Sequence, residues 1–124
     1  MSDAGHAADG IRRYGAGGRW ADVVVHRGVA YWAEVADDMR LDARGQIARV
    51  LAQIDATLAS IGSDRTRLLQ VLVYLAADAD APTLNELWDA WVPAGHPPVR
   101  AMVRAGLGAE CRVEMVVTAA VPGA

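Results

Sequence analysis

Hydrophobic positions along the chain recur with two different periods, which predict strands and helices in alternation. Apolar residues dominate Val23–His26 and Val29–Val35, and this predicts two strands joined by a tight turn at Arg27 and Gly28. Residues 66–77 (TRLLQVLVYLAA) form an almost continuous apolar run of residue types that favour strands. This run predicts a central strand that is buried on both faces.

Two segments carry the three- and four-residue spacing of amphipathic helices. The first is residues 43–61, with Asp42 as the N-cap and Gly62 at the end. Its apolar stripe consists of Ile47, Val50, Leu51, Ile54, Leu58 and Ile61. The second helix begins after residue 82, where Thr83 and Glu86 have the spacing of a capping box.

Residues 97–119 (PPVRAMVRAGLGAECRVEMVVTA) predict a β-hairpin with one apolar and one charged face. A turn centred on Leu107 sets Arg100 opposite Glu114 across the two strands. The same register pairs Met102 with Arg112 and Arg104 with Glu110. Two interpretations of the Arg100–Glu114 pair stay open. It is a surface salt bridge, or it is a site where the arginine grips a substrate carboxylate and the glutamate moves a proton.

The order of predicted elements, β-β-α-β-α-β-β, indicates an α+β fold built as a two-layer sandwich of one sheet and two helices. Two helices cover only one face of such a sheet, whereas residues 23–32 and 68–75 are largely apolar on both faces. We therefore expect another subunit to bury the second face. Residues 1–10 are small and polar, which predicts a flexible N-terminal tail, and residues 11–124 form a single domain.

Composition narrows the classes of function. The chain has 124 residues, 53% of them hydrophobic, and its net charge of −3 argues against a nucleic-acid surface built on bulk positive charge. All 12 basic residues are arginine, so a Schiff-base lysine mechanism is excluded. The single Cys111 forms no intrachain disulfide, and the sequence shows neither a targeting signal nor a long apolar run. We expect a soluble, cytoplasmic protein that binds neither nucleic acid nor a membrane.

The sequence contains no recognisable metal-binding or cofactor-binding motif. His6, His26 and His96 are scattered, without the spacing of a ligand set. The glycines at positions 15, 17 and 18 lack the preceding strand and following helix that a phosphate-binding loop requires. No metal and no organic cofactor is therefore expected. Cys111 lies on the apolar face of the predicted hairpin, so we expect an unreactive, buried thiol.

Several longer segments make the chain recognisable. ARGQIARVLAQIDATLASIGSD, LLQVLVYLAADAD, LNELWDAWV, PPVR and CRVEMVVTAA follow one another in an order and spacing that resembles the Rid family (YjgF-like reactive intermediate deaminases) over about residues 11–121. The resemblance implies a chorismate-mutase-like fold and a homotrimer whose sheets form a central barrel, with ligand sites in clefts between neighbouring subunits. It also implies hydrolytic deamination of small imines or enamines that carry a carboxylate. Ammonia and a keto acid are then the products, and no cofactor takes part.

The resemblance assigns roles to three residues. Arg100, in the PVR segment, corresponds to the family's arginine that binds the substrate carboxylate. Glu114, in the VEM segment, corresponds to the acidic residue that handles water or protons. Asn85 corresponds to the asparagine of the family's NE segment. The resemblance therefore implies Arg100 and Glu114 as the catalytic pair.

Three positions depart from the family pattern. Trp20 stands where active deaminases carry a tyrosine, Met102 replaces a cysteine, and Ala33 with Glu34 replaces an SGQ or AGQ segment whose glycine is missing. The expected substrate-binding residues are thus Arg100, Trp20, Ala33, Asn85 and Met102. The departures favour two alternatives: a non-catalytic trimeric module that binds or senses a small molecule, and a specialised catalyst for a larger or aromatic substrate. Ribonuclease activity, ascribed to some relatives, is disfavoured by the acidic balance and the missing basic, aromatic stripe.

We predict that the protein is an oligomer in solution because the helices leave one apolar face of the sheet uncovered. Size-exclusion chromatography with light scattering, at micromolar protein concentration, should give the mass of an assembly, and of three chains if the trimer implied by the resemblance forms. Elution as a single chain would contradict this prediction.

Overall fold

A seven-stranded mixed sheet packs one face against two helices. The computed structural model describes residues 3–6 and 9–122. The strands are β1 (Asp3–His6), β2 (Arg12–Tyr14), β3 (Val23–His26), β4 (Val29–Val35), β5 (Leu68–Leu75), β6 (Val99–Arg104) and β7 (Val113–Ala120). The helices are α1 (Ala43–Ser60) and α2 (Ala81–Trp91). The order across the sheet is β1-β2-β3-β4-β7-β5-β6, and the predicted α+β fold is confirmed with two strands more than expected.

The core lies between the helices and one face of the sheet. Alternate side chains of the central strands β5 and β7 are fully buried, as the two-residue period of a strand requires. The helices contribute the other half of the core through Ile47, Val50, Leu51, Ile54, Leu58, Leu84, Trp88 and Trp91. Within the described residues, no helix is both long and apolar enough to cross a bilayer.

The first hairpin and the first helix are confirmed at the predicted positions. Arg27 and Gly28 form the turn between β3 and β4, and both have positive φ, 52° and 76°. This conformation matches the twist of a two-residue hairpin turn. Asp42 caps α1 by accepting a hydrogen bond from the Gly45 backbone at 2.8 Å, and Gly62 with φ 74° follows the end of the helix.

The predicted C-terminal hairpin is wrong. Strands β6 and β7 are not neighbours, because β5 lies between them. Strand β6 pairs in parallel with β5, and Arg100 stands beside Val71. Strand β7 pairs antiparallel with both β4 and β5, and Glu114 stands between Val35 and Tyr74. The proposed pairs of Arg100, Met102 and Arg104 across a hairpin therefore do not form.

The physical reason lies in the connections and in burial. Residues 105–112 join β6 to β7, which is longer than the connection in most tight hairpins and long enough to pass the end of β5. The connection is fastened to β5 at both ends, by Ala105 N to Leu75 O at 2.9 Å and by Ala76 N to Arg112 O at 3.1 Å. Strand β7 carries the more buried apolar alternation, so it takes the central position and leaves β6 at the edge.

Two smaller expectations also differ from the structure. Part of the predicted tail forms β1, which pairs with β2, while residues 1–2 and 7–8 of that tail lie outside the described residues. The predicted capping box of Thr83 and Glu86 is wrong because α2 begins earlier, at Ala81. Asp78–Asp80 form a 3-10 turn in front of it, and its N-cap residue Asp80 makes no side-chain capping bond.

The face of the sheet opposite the helices is apolar and open in a single chain, as the sequence pattern predicted. Its most exposed large side chains belong to β4, β5 and β6. They are Tyr31, Val35, Leu69, Val99 and Val103. Contiguous apolar surface of this kind is typical of an interface, so the predicted trimer remains the expected cover.

Gln46 fixes the connection that carries the chain past β5. It is the fully buried polar side chain of α1, with 0% exposure. Its amide donates to Leu41 O at 3.1 Å and to Glu110 O at 2.8 Å, and its oxygen accepts from Arg112 N at 2.8 Å. Glu110 has an unusual positive φ of 65°, so this bond also secures a strained backbone position. Gln46 therefore joins α1 to the 105–112 connection.

We predict that Gln46→Ala lowers the free energy of unfolding by about 3 kcal/mol, since it leaves buried backbone groups without partners. Gln53→Ala, on the same helix but half-exposed, should cost about 1 kcal/mol or less because water can replace its bonds. Chemical denaturation at matched protein concentration measures both. Equal losses for the two variants would contradict the role given to Gln46.

Candidate functional site

A pocket of about 620 Å³ opens beside strand β4 where its neighbour β3 stops. Strand β3 pairs with β4 only as far as Tyr31, so the following part of β4 has a partner on the β7 side alone. The residues that line the pocket include Trp20, Asp22, Ala33, Glu34, Thr57 and Glu114. Three of the sequence-predicted site residues, Trp20, Ala33 and Glu114, thus share one pocket.

The loop before β3 holds Trp20 at the mouth of this pocket. Gly17 N donates to Trp20 O at 2.9 Å, and Asp22 N donates to Tyr14 O at 2.8 Å. Gly15 has φ 62°, and a Cβ there would stand 2.0 Å from the Asp22 carboxylate, so only glycine fits. The loop backbone is therefore well fixed, whereas the Trp20 side chain is 68% exposed and offers its ring to the pocket.

Glu34 is held rigidly in the pocket wall by helix α1. Its two carboxylate oxygens accept hydrogen bonds from Thr57 Oγ1 at 2.7 Å and from Gln53 Nε2 at 3.0 Å. The same Gln53 amide donates to Val35 O at 2.8 Å, and its oxygen accepts from Asp37 N at 2.8 Å. Glu34 is the charged residue of β4, and these bonds fix its orientation relative to the pocket.

The pocket is acidic and contains no cation from its own chain. Asp22, Glu34 and Glu114 line it, and no arginine or histidine does. Across residues 9–122 none of these three carboxylates takes part in an ion pair, although six other acidic residues do. The register places Glu34 on the helix side of the sheet and Glu114 on the open side, so the two charges reach the pocket from different faces.

A second group of predicted residues lies at the opposite edge of the sheet. Arg100 on β6 donates from Nη2 to Asn85 Oδ1 at 2.9 Å, and its guanidinium lies 5.2 Å from the centre of the Trp88 ring. Helix α2 thus orients the arginine through an amide and a tryptophan. Met102 lies on the same strand, two residues further on, with 40% of its surface exposed.

Arg100 and Glu114 do not meet within one chain. Val71, beside Arg100, points to the helices, whereas Tyr74, beside Glu114, belongs to the open face. From the strand spacing and the register offset, the two Cα atoms are roughly 14 Å apart. The predicted direct pair is therefore wrong, and the predicted site residues fall into two sets. Trp20, Ala33 and Glu114 form the pocket set, and Arg100, Asn85 and Met102 form the edge set.

The pocket wall and the edge set each contain one buried donor without an acceptor. Among the described residues, the indole Nε1 of Trp32 and the Nη1 of Arg100 are buried and make no hydrogen bond. Trp32 is 5% exposed and lines the pocket, and Arg100 belongs to the edge set. Buried donors in native proteins normally have partners, so these two positions are where a ligand, a water molecule or a second chain is expected to bind.

Cys111 is unsuited to nucleophilic catalysis. Burial raises the pKa of its thiol, and Sγ donates to Val113 O at 3.4 Å. The thiol therefore stays protonated at neutral pH. It is half-buried and lies in the 105–112 connection, not on the apolar face of a hairpin as expected from the sequence. Within the part of the chain that the structure describes, His, Cys, Asp and Glu side chains form no cluster suited to a metal ion.

Sequence reasoning missed several residues of the two sets. Glu34 stands out in the sequence as the single charged residue of the apolar strand VAYWAEV. No sequence pattern indicated which side chains would bind it. Nothing in the sequence marks Thr57 or Asp22 as site residues, since their place in the pocket depends on how α1 and the loop before β3 pack. Trp88 is buried in the core, and its contact with Arg100 depends on β6 lying beside α2.

Comparisons with known proteins give relatives over most of the chain. The family model described as Endoribonuclease L-PSP matches residues 6–121. The RutC family protein YoaB of Escherichia coli strain K12 is 44% identical over 112 residues, which cover 90% of this chain and 98% of YoaB. The crystal structure of a YjgF family member from Neisseria meningitidis is 38% identical, with a TM-score of 0.87 over 95% of this chain and all of that one (100%). The Rid family protein YyfA of Yersinia pestis, 21% identical, shares the fold with a TM-score of 0.79 over 86% of this chain and 90% of that one. The chain belongs to the YjgF/Rid family.

Proposed function

We propose that the protein is a homotrimeric, hydrolytic deaminase of small carboxylate-bearing imines and enamines, with sites shared between neighbouring copies. In this arrangement Arg100 of one copy faces Glu114 of the next. The observation that carries the proposal is the split of the site residues. The pocket is lined by carboxylates and no cation, and the edge set has an oriented guanidinium. Trp32 in the pocket wall and Arg100 in the edge set each keep one buried donor without a partner.

The open apolar face explains how the two sets meet. Strand β6 lies at the edge of the sheet, and its Val99 and Val103 side chains are exposed together with Tyr31 and Val35 of β4. Burying this face against another copy moves the β6 edge of one chain toward the β4 region of its neighbour. A closed ring of copies then forms equivalent clefts, each with both sets.

The chemistry requires only these side chains and water. Arg100 binds the substrate carboxylate through its guanidinium fork and thereby places the imine carbon near Glu114. An enamine first accepts a proton on carbon and loses one from nitrogen, and so becomes the imine. Glu114 takes a proton from water as the water oxygen bonds to the imine carbon, the carbon–nitrogen π electrons move to nitrogen, and nitrogen gains a proton to give a carbinolamine. Proton transfer to nitrogen, cleavage of the carbon–nitrogen bond and loss of the hydroxyl proton release ammonia and leave the keto acid.

A non-catalytic binding module is the second candidate, and the mouth of the pocket favours it. Trp20 is an exposed, flat surface suited to stacking on a ligand, and Met102 stands where active relatives carry a cysteine according to the resemblance. Such a module would keep the shared cleft and bind a small carboxylate without turnover.

The pocket gives less support to ribonuclease activity, which the description of the family mentions. Asp22, Glu34 and Glu114 are carboxylates that repel the phosphates of RNA, and no basic residue lines the pocket beside them. The geometry thus favours a small ligand with a carboxylate that reaches Arg100.

The direct test of the enzymatic role is ammonia release from an imine generated in situ by an amino-acid oxidase. We predict that Arg100→Ala lowers kcat/KM about 100-fold, because a charged hydrogen-bonding fork is lost. Arg104→Ala, on the same strand, is the matched control and should keep the wild-type rate within about twofold. Equal rates for wild type and Arg100→Ala would rule out the role of Arg100.

Mixing two inactive variants tests whether the site is shared. Arg100→Ala and Glu114→Gln each disable every site in a pure trimer. Co-expressed in equal amounts, they form some clefts with an intact Arg100 from one copy and an intact Glu114 from the next. We predict recovery of about a quarter of the wild-type rate. A mixture no more active than the two variants alone would show that one chain supplies both residues.

A thermal-shift series separates the enzyme from the binding module. Keto acids and aromatic carboxylates should raise the Tm of the wild type and not that of Arg100→Ala, because binding to the folded state stabilises it. Ligand-dependent shifts without ammonia release from any imine would establish the binding module instead of the deaminase.

A further inference from the structure

The charge of the pocket exceeds what the proposed reaction needs. Asp22, Glu34 and Glu114 supply three carboxylates. In the proposed trimer the neighbouring copy adds Arg100. The ligand's own carboxylate neutralises that arginine. Glu114 serves the reacting carbon, so the charges of Glu34 and Asp22 remain for the rest of the ligand. A ligand with a neutral or acidic side chain leaves these charges without a counter-charge in a half-enclosed space.

Glu34 is built to receive a hydrogen-bond donor. A carboxylate has about four acceptor positions, and Thr57 and Gln53 occupy one on each oxygen. The remaining positions are open, and the two bonds to α1 keep the group from turning away. Such a fixed and incompletely bonded carboxylate binds a cation with little loss of side-chain freedom.

Trp20 supplies an independent observation that also points to a cation. Two of the four tryptophans already have a guanidinium 5.2 Å from their ring centre, Arg65 at Trp91 and Arg100 at Trp88. Trp20 has no such partner among the described residues, is 68% exposed and lines the same pocket as Glu34. A tryptophan face is the best aromatic surface for a cation.

We propose that the pocket selects ligands whose side chain ends in a positive charge, and that Glu34 and Trp20 form the subsite for that charge. For catalysis the inference rests on the proposed function, and the substrates are then imines and enamines derived from cationic amino acids. The side-chain charge lies away from the reacting carbon, so the steps of hydrolysis are unchanged. Glu34 sets specificity and takes no part in proton transfer.

Arginine and citrulline give a matched pair of substrates, because they differ in charge and hardly in shape. An amino-acid oxidase converts both to imines in situ, and ammonia release above the oxidase alone gives kcat/KM for each. The wild type should prefer the arginine-derived imine by about tenfold or more. A wild-type ratio of one or below would overturn the proposal without any variant.

Glu34→Gln removes the charge and keeps the size of the side chain. It should lower the rate with the arginine-derived imine at least about fivefold and change the citrulline rate by less than about twofold. Asp89→Asn removes an exposed negative charge outside the pocket and should leave the ratio unchanged. A ratio that stays the same in Glu34→Gln would also overturn the proposal.

A binding measurement keeps this inference separate from the proposed function. Calorimetry with the keto acids of arginine and citrulline needs no turnover. If the wild type hydrolyses neither imine but binds the cationic keto acid more tightly, and Glu34→Gln loses that preference, then the deaminase proposal fails and the cation subsite stands. Equal affinities for the two keto acids would remove the subsite, whatever the rates.

Discussion

The position of β5 between β6 and β7 determines what one copy of this chain can do. Because β5 occupies that place, Arg100 and Glu114 lie on different faces of the sheet and cannot share a small ligand within one chain. The buried alternation of β7 and the long connection from β6 enforce this order. Gln46 secures the connection from the core side. The same packing that builds a stable sheet therefore separates the two groups.

This separation gives the open face of the sheet a functional meaning. In the trimer that we propose, this apolar surface is buried between copies and brings the two incomplete sets of residues together. The electrostatics agree with this view, since the charged residues that line the pocket are all acidic and the edge set carries an oriented guanidinium with a buried, unpartnered Nη1. With a shared cleft, a single chain cannot bring the two residues together, so only the assembled protein would be active.

The sequence predicted the locally determined parts of the structure well. The turn at Arg27 and Gly28 and the cap at Asp42 depend on neighbouring residues, and both are confirmed. The partner of β6 depends on how strands distant in sequence order themselves, and alternation of side chains carries no information on that choice. The attractive charge pattern of residues 97–119 therefore suggested a hairpin that does not exist. The resemblance to the Rid family named Arg100 and Asn85 as site residues, and the structure joins their side chains by a hydrogen bond. Glu34 and Thr57 became visible only through packing.

The central claim is that one cleft draws its guanidinium and its carboxylate from two different chains. A crystal structure of the assembled protein soaked with a small 2-oxo acid measures this most directly. The account predicts the acid's carboxylate on Arg100 of one protomer and its carbonyl carbon beside Glu114 of the adjacent protomer. An assembly in which Arg100 and Glu114 face solvent at separate places, or in which the acid contacts a single protomer, would contradict it.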